Sequence, residues 1–297
     1  MDAPVVLIHK GDSSYLFNTL YMLNRYHSPS NIFLIGDNAN AHYSNWCTHF
    51  QFENYSHKAE ELRPIYWHKS VFSFEHELFC LQRWMVLESF MQEHNLQKAI
   101  YIDSDVLVFD NLPNWLPKFS SYGMSIIGVS GHTNFVQSST TLAKFNAYVI
   151  DKYSTEKGKE AIQKWFDEHM AGKADHGISD MDMLTHFAEE YPDEVINLET
   201  SYSEFAFDRS FSESNGFAID ANTGFKSIVW KQEKPYFFNL QSGKEIHAVT
   251  LHFQGNIKQN QKHYIPKPDG SYRLWQSYFR IRFLLSKIEY KVLRLIG

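Results

Sequence analysis

Apolar residues fall along the chain in short blocks of two kinds. Val5 to His9 is a continuous run, the mark of a strand buried on both faces. An acid, Asp2, precedes it and no basic stretch does, so it is expected to be a first strand and not a signal peptide. Gly11-Asp12-Ser13-Ser14 is a turn able to cap a helix, and Leu16, Leu20 and Leu23 then repeat at i, i+4, i+7, one helical face. Asn31 to Ile35 is a second strand closed by Gly36-Asp37-Asn38, and a third is expected near Ile65 to His68. Cys80, Trp84, Leu87 and Met91 mark a long amphipathic helix, and Ala99-Ile100-Tyr101-Ile102 is a fourth strand. This alternation predicts an α/β fold, Rossmann-like, with a mostly parallel central sheet flanked by helices.

The second half is less periodic. Ser125 to Val129 is a strand candidate. Leu142, Phe145 and Val149 mark a helix, Ala161 to His169 another, and Asp180 to Glu190 a third with its acids in the first turn. Residues 201–224, rich in Ser, Asn, Phe and Gly, have no period and suit a loop near a functional site. Ile228 to Trp230 and Tyr236 to Leu240 suggest a hairpin, followed by a strand from Ile246 to Phe253, so a small antiparallel element is expected late in the chain. Neither repeats nor a linker interrupt the pattern.

Composition narrows the function classes. The chain has 297 residues, with 28 Lys plus Arg against 34 Asp plus Glu, a net charge of −6. No basic excess is available to neutralise a phosphate backbone, so a nucleic-acid partner is not expected. Aromatic residues reach 16%, enough for a large core and for rings that stack on sugars or bases. Two cysteines, Cys47 and Cys80, allow no disulfide framework or zinc knuckle and fit free thiols in a reducing compartment. No apolar run is long enough to span a bilayer. A cytoplasmic protein is expected, with one qualification. From Tyr278 to Gly297 the tail holds Arg280, Arg282, Lys287, Lys291 and Arg294 against one acid, Glu289, interleaved with Phe279, Ile281, Phe283, Leu284 and Leu285. That mixture suits peripheral contact with an anionic membrane as well as a terminal helix packed on the domain.

Two motifs carry chemistry. Ile100-Tyr101-Ile102 runs into Asp103-Ser104-Asp105, placing two carboxylates at the carboxyl end of a strand, where open α/β sheets form their ligand crevice. Paired hard oxygens there suit Mn²⁺ or Mg²⁺ with open positions for substrate phosphates. Late in the chain stands His252-Phe253-Gln254-Gly255-Asn256-Ile257-Lys258. The imidazole of His252 can join the same ion, which favours Mn²⁺; Gly255 permits close backbone approach, and Lys258 can neutralise phosphate as a point charge.

With these residues in hand, the chain resembles glycosyltransferases of the GT-A fold, and among them glycosyltransferase family 8 and its relatives. That pattern has an Arg on the helix before the strand, matched by Arg83. Its DxD is matched by Asp103 and Asp105, and its late H-F-x-G-x-x-K by His252, Gly255 and Lys258. The family's D-Q-D-I-L-N segment is echoed by Asp180-Met181-Asp182-Met183-Leu184-Thr185. Three departures stand out: Gln259-Asn260 replaces Pro-Trp after the late Lys, Met181 replaces the Gln, and Ser130 to Asn134 matches no family segment. The resemblance implies a GT-A domain over residues 1–268 with an appended tail, 269–297. It implies a hexosyltransferase that takes a nucleotide sugar, by default a UDP-sugar, and a saccharide or glycolipid acceptor, with retention. Asp103, Asp105 and His252 would hold the ion. His9, Lys10, Asp12, Tyr15, Asp37, Arg83, Ser104, Gly255 and Lys258 would bind the donor, and Asp180 and Asp182 would serve the acceptor side. For Asp12, Asp37 and the Asp180/Asp182 pair, a helix cap, a turn and a helix start are the plain structural alternatives.

Two rivals use the same residues. A haloacid-dehalogenase-like phosphatase would use Asp103 as nucleophile and Asp105 as acid/base, although its motif normally lies on the first strand. A non-catalytic nucleotide- or glycan-binding relative is the other. The chain has no GxxxxGK[ST] loop, no GxGxxG after the first strand and no HExxH, so kinase, dinucleotide-dehydrogenase and zincin readings lose their usual support.

Overall fold

The computed structural model describes residues 3–171, 177–201, 204–279 and 281–282. In chain order the first half runs β1 (Val5–Ile8), α1 (Ser14–Asn24), β2 (Ile32–Gly36), β3 (Thr48–Gln51), α2 (His57–Glu60), α3 (Phe74–Glu93), β4 (Ala99–Ile102), β5 (Val106–Val108), β6 (Met124–Ile126), β7 (Thr133–Val136). The second half runs α4 (Ser139–Ser154), α5 (Glu156–Ala171), α6 (Asp180–Glu190), β8 (Val195–Asn197), α7 (Leu198–Ser201), β9 (Phe205–Phe207), β10 (Ile228–Lys231), β11 (Lys234–Asn239), β12 (Lys244–His252). A 3₁₀ segment, Gly255–Tyr264, follows β12.

The central sheet has the order β3-β2-β1-β4-β7, parallel except for β7 at the edge. β1, β2, β4 and β7 are buried on both faces, whereas the edge strand β3 is not, and alternation sorts the buried side chains. Val5, Leu7, Ile100 and Ile102 join the core on the α1 side; Val6, Ile8, Ala99 and Tyr101 join the core under α3, α4 and α6. Strand order reverses between β1 and β4. Successive connections depart there on opposite sides and leave a crevice beyond the strand ends. His9 and Lys10 leave β1 at that point, and Asp103 to Asp105 leave β4.

A second sheet, β10-β11-β12-β5, is antiparallel, with β9 added parallel to β12. The expected late antiparallel element is therefore present, and β5 extends it into the first half of the chain. The acidic motif is the hinge where the chain steps from the central sheet to the second. Register then does the long-range work: β12 pairs with β5 so that His252 lies opposite Val106, and the Phe253 amide donates to the Asp105 carbonyl at 2.9 Å. Two motifs about 150 residues apart meet through this one pairing.

The structure corrects several sequence expectations. No strand forms at residues 65–68; the third strand is β3, whose Thr-His-Phe-Gln carries one strongly apolar residue because it lies at the sheet edge. Tyr66 is buried by packing on Phe74 and Tyr153, so the apolar character of that segment reflects core contact outside a strand. The strand expected at 125–129 stops at Ile126, where Ile127 and Ser130 close a tight turn around Gly128 at φ 62°. The supposed loop of residues 201–224 contains β9. Cys47 and Cys80 are free thiols.

In the tail, residues 270–279 are helical and pack on α1: Tyr272 and Trp275 lie 5.7 and 5.5 Å from the Phe17 ring, and the Tyr272 hydroxyl donates to Asn18 at 2.9 Å. Arg282 pairs with Asp12. Leu274 and Ile281 stay exposed. Arg280 and the basic and apolar residues from Phe283 onward lie outside the described residues. Among the described residues no helix is long and apolar enough to cross a membrane.

Candidate active site

Alternation along β4 explains why two elements grip the acidic motif. Tyr101 and Asp103 point to the α3 face, whereas Ile102 points toward α1 and the Ser104 hydroxyl lies against His9. Arg83 of α3 accordingly reaches Asp103 at 2.7 Å, and the Tyr101 hydroxyl donates to the same oxygen. On the other side Thr19 of α1 donates to the Ser104 carbonyl at 2.8 Å. The second guanidinium nitrogen of Arg83 binds Asp180 at 2.6 Å, and the Trp84 indole N–H donates to that same Asp180 oxygen at 3.1 Å. Burial alone would raise the Asp103 carboxyl, but the Arg83 charge and the Tyr101 hydrogen bond outweigh it and hold the pKa at about 2.

Asp105 is almost fully buried and differently placed. Its Oδ2 pairs with Lys258 at 2.9 Å, while its Oδ1 is buried with no hydrogen-bond donor among the described residues. That oxygen lies 3.6 Å from His252 Nε2, too far for a hydrogen bond. The imidazole Nδ1 sits 2.6 Å from the Arg209 carbonyl oxygen, which can only accept, so Nδ1 carries a proton and Nε2, which faces Asp105, holds the lone pair of the neutral ring. Ligand atoms of Asp103, Asp105 and His252 all lie within 4.8 Å of one another. An unpaired carboxylate oxygen facing an imidazole lone pair is a stable arrangement around a cation, and this N/O donor set fits a divalent ion.

These groups open into a cleft of about 420 Å³. Eight residues singled out from the sequence line it: His9, Lys10, Tyr15, Arg83, Asp103, Ser104, Asp105 and Lys258. His9 is neutral, since burial first and the nearby Lys258 charge second lower its pKa to about 4; Ser104 Oγ lies 2.9 Å from its Nδ1. Lys10 sits over the Phe52 ring at 3.8 Å. Two other hollows lie along α5, away from the carboxylates, and are lined mainly by long surface side chains.

The remaining sequence candidates take other positions. Asp12 accepts from Tyr43 at 3.0 Å and pairs with Arg282, facing the tail. Asp37 accepts the Gly11 and Ala39 amides at 2.7 and 2.9 Å, which shapes the turn after β2. Gly255 has φ 67°, and a Cβ there would meet open space, so its freedom serves the backbone that enters the Lys258 segment. Asp182 accepts the Ser179 amide at 2.8 Å in a capping box at the start of α6 and lies 3.2 Å from His169. Asp180 alone of that pair contacts the site, through Arg83.

Sequence reasoning missed residues that line the same cleft. His76 and Cys80 precede Arg83 on the same face of α3, at the i, i+4, i+7 spacing, and line the cleft with it, a signal that was legible. Arg63 and Glu75 pair bidentately at 2.8 and 2.7 Å at its rim, which no local pattern announces. Behind the metal-type cluster, His132 stacks on His252 at 3.8 Å between ring centroids and is kept neutral chiefly by burial.

The fold, with its crevice at the strand-order reversal where the acidic and histidine motifs meet, is of the GT-A type. Mouse xyloside xylosyltransferase 1, in its apo form, is similar over 86% of this chain and 99% of its own, at a TM-score of 0.53 and 8% identity. That likeness concerns the fold. The glycosyltransferase GlyE of Streptococcus pneumoniae TIGR4 aligns with 94% of this chain and 64% of its own at a TM-score of 0.41 and 16% identity. The WbbM bifunctional glycosyltransferase aligns with 92% and 51% at 0.45 and 10%. No family model and no curated protein matches the chain.

Proposed function

We propose that the protein is a metal-dependent glycosyltransferase. It moves a hexose from a nucleotide sugar, by default a UDP-sugar, to a saccharide or glycolipid acceptor with retention. The observation that carries this reading is the buried Asp105 Oδ1, without a hydrogen-bond donor among the described residues and facing His252 Nε2, beside a cleft that Lys10, Arg83 and Lys258 also line. Asp103, Asp105 and His252 would hold the divalent ion, Mn²⁺ in preference to Mg²⁺ on the mixed donor set. Such an ion supplies neutralisation of the charge that grows on a departing diphosphate. Lys258 is placed to add to that neutralisation, and Arg83 binds both Asp103 and the buried Asp180 behind it. In a retaining transfer no separate base is obligatory, and Asp180 would steady the oxocarbenium-like centre. Tyr15 and Lys10 offer a ring and a charge to the nucleoside end. The phosphatase reading has less support, because its nucleophile, Asp103, is held by Arg83 and Tyr101.

A thermal-shift panel of nucleoside diphosphates and nucleotide sugars, with Mn²⁺ or EDTA, tests the proposal. Ligand at ~100 times its dissociation constant adds about 2.7 kcal/mol, a rise of roughly 5–10 °C for a chain of this size. We expect that rise with one nucleotide family and only with Mn²⁺; a flat panel would end the reading. Residues 269–297 are proposed to add peripheral membrane contact. Truncation before residue 272 should then lower co-sedimentation with anionic liposomes, and unchanged sedimentation would remove that part.

A further inference from the structure

The group that sets the orientation of His252 lies beneath it. Asp208 and Lys226 form an ion pair at 2.6 Å with both side chains wholly inaccessible. Neither touches the cleft. Asp208 Oδ2 accepts the His252 backbone amide at 3.0 Å, and the Asp208 carbonyl lies 2.9 Å from His132 Nε2, the ring stacked on His252. Lys226 Nζ donates to Asp208 Oδ1 and also to the Ser210 carbonyl, both at 2.6 Å. It therefore ties together the residues on either side of Arg209, whose carbonyl receives the His252 Nδ1 proton. Lys226 staples a three-residue arch, and the middle of that arch selects the imidazole tautomer.

We infer that Asp208 and Lys226 are positioning residues that hold His252 with its Nε2 lone pair toward Asp105. The inference rests on the metal-site reading above. A buried ion pair is a costly way to stabilise a fold, since well-packed neutral residues usually serve as well. Its use behind a metal-type ligand matches the role of outer partners, which fix ring orientation and typically change affinity 10- to 100-fold when lost. The Asp208→Asn/Lys226→Met double variant removes both charges at similar volume, so neither is left buried alone. Asn215→Gly, at φ 43°, removes the third acceptor of Lys226, at 3.1 Å, together with a long 3.5 Å bond to Glu213 at the surface, and keeps the backbone conformation allowed.

Two readouts decide. Free-Mn²⁺ electron paramagnetic resonance titration should show 10- to 100-fold weaker binding in the double variant at near wild-type Tm, and a smaller loss in Asn215→Gly. Long-range ¹H–¹⁵N spectra of the metal-free protein, with His252 assigned by His252→Ala, should show the Nδ1–H tautomer in wild type and a mixture in the double variant. Unchanged Mn²⁺ affinity and tautomer in a folded double variant overturn the inference. If the double variant does not fold, an unchanged affinity and tautomer in Asn215→Gly, or an Nε2–H tautomer in wild type, overturn it instead. If wild type binds no Mn²⁺, the metal-site reading fails, and the tautomer spectra still decide the positioning role.

Discussion

Asp105→Ala should abolish glycosyl transfer, with kcat/KM falling by on the order of 10³ or more, about 4 kcal/mol of transition-state stabilisation. Asp105 differs from Asp103 in what its oxygens face. Asp103 accepts from Arg83 and Tyr101, so it has protein partners whether or not an ion is bound. Asp105 Oδ1 has no hydrogen-bond donor among the described residues, and its Oδ2 pairs with Lys258. On the proposed function, removing this carboxylate would take a ligand from the ion and release the lysine placed to meet the diphosphate. The same variant should lose the Mn²⁺-dependent thermal shift while folding normally, because a buried and partly uncompensated carboxylate contributes little to the folded state. Turnover assays with matched circular dichroism check this. Substantial residual activity in a folded variant would mean that the metal is held elsewhere.

Arg83→Leu should be the most damaging single change to the fold. Both guanidinium bonds, to Asp103 at 2.7 Å and Asp180 at 2.6 Å, are made with side chains at most 18% exposed. Removing the cation leaves two carboxylates in one poorly solvated site, an effect of about 3–5 kcal/mol, or a Tm lower by roughly 6–20 °C. The loss should depend on pH. With Arg83 present, the folded pKa of Asp103 is depressed to about 2. Its stabilising contribution is therefore complete above the unfolded value of about 3.9 and disappears as pH falls through about 2. The variant should thus sit furthest below wild type at neutral pH and approach it in acid. A stability gap that stays constant from pH 7 to pH 2.5 would contradict the ion-pair account. Arg83→Lys should recover only part of the stability, since one ammonium cannot reproduce the planar fork that spans both carboxylates.

How far the sequence reached depended on the kind of information each feature carries. β1, α1, β4 and α6 were legible because burial on one or both faces writes its period into adjacent residues. The acidic motif was legible because it directly follows such a run. β3 was not, since an edge strand need not be apolar, and the apolar Ile65-Tyr66 was mistaken for one because core contact does not require a strand. Asp12 and Asp37 show the limit for polar residues. An Asp after a Gly or before an Asn reads the same whether it shapes a turn, meets a tail arginine or touches a ligand, and only its partners in space distinguish these.

By itself the sequence determined the alternating α/β order, the strand ends that carry Asp103 and Asp105, and the candidacy of His252 and Lys258. These follow from hydrophobic period and from side-chain chemistry, both of which are local. Tertiary structure alone decided that β12 pairs with β5 in the register bringing His252 to Asp105, and that Arg83 spans Asp103 and Asp180. It alone placed the Asp208–Lys226 pair beneath the imidazole. Register and long-range pairing depend on how whole elements pack, and a single buried contact between residues far apart in the chain leaves no period for the sequence to display.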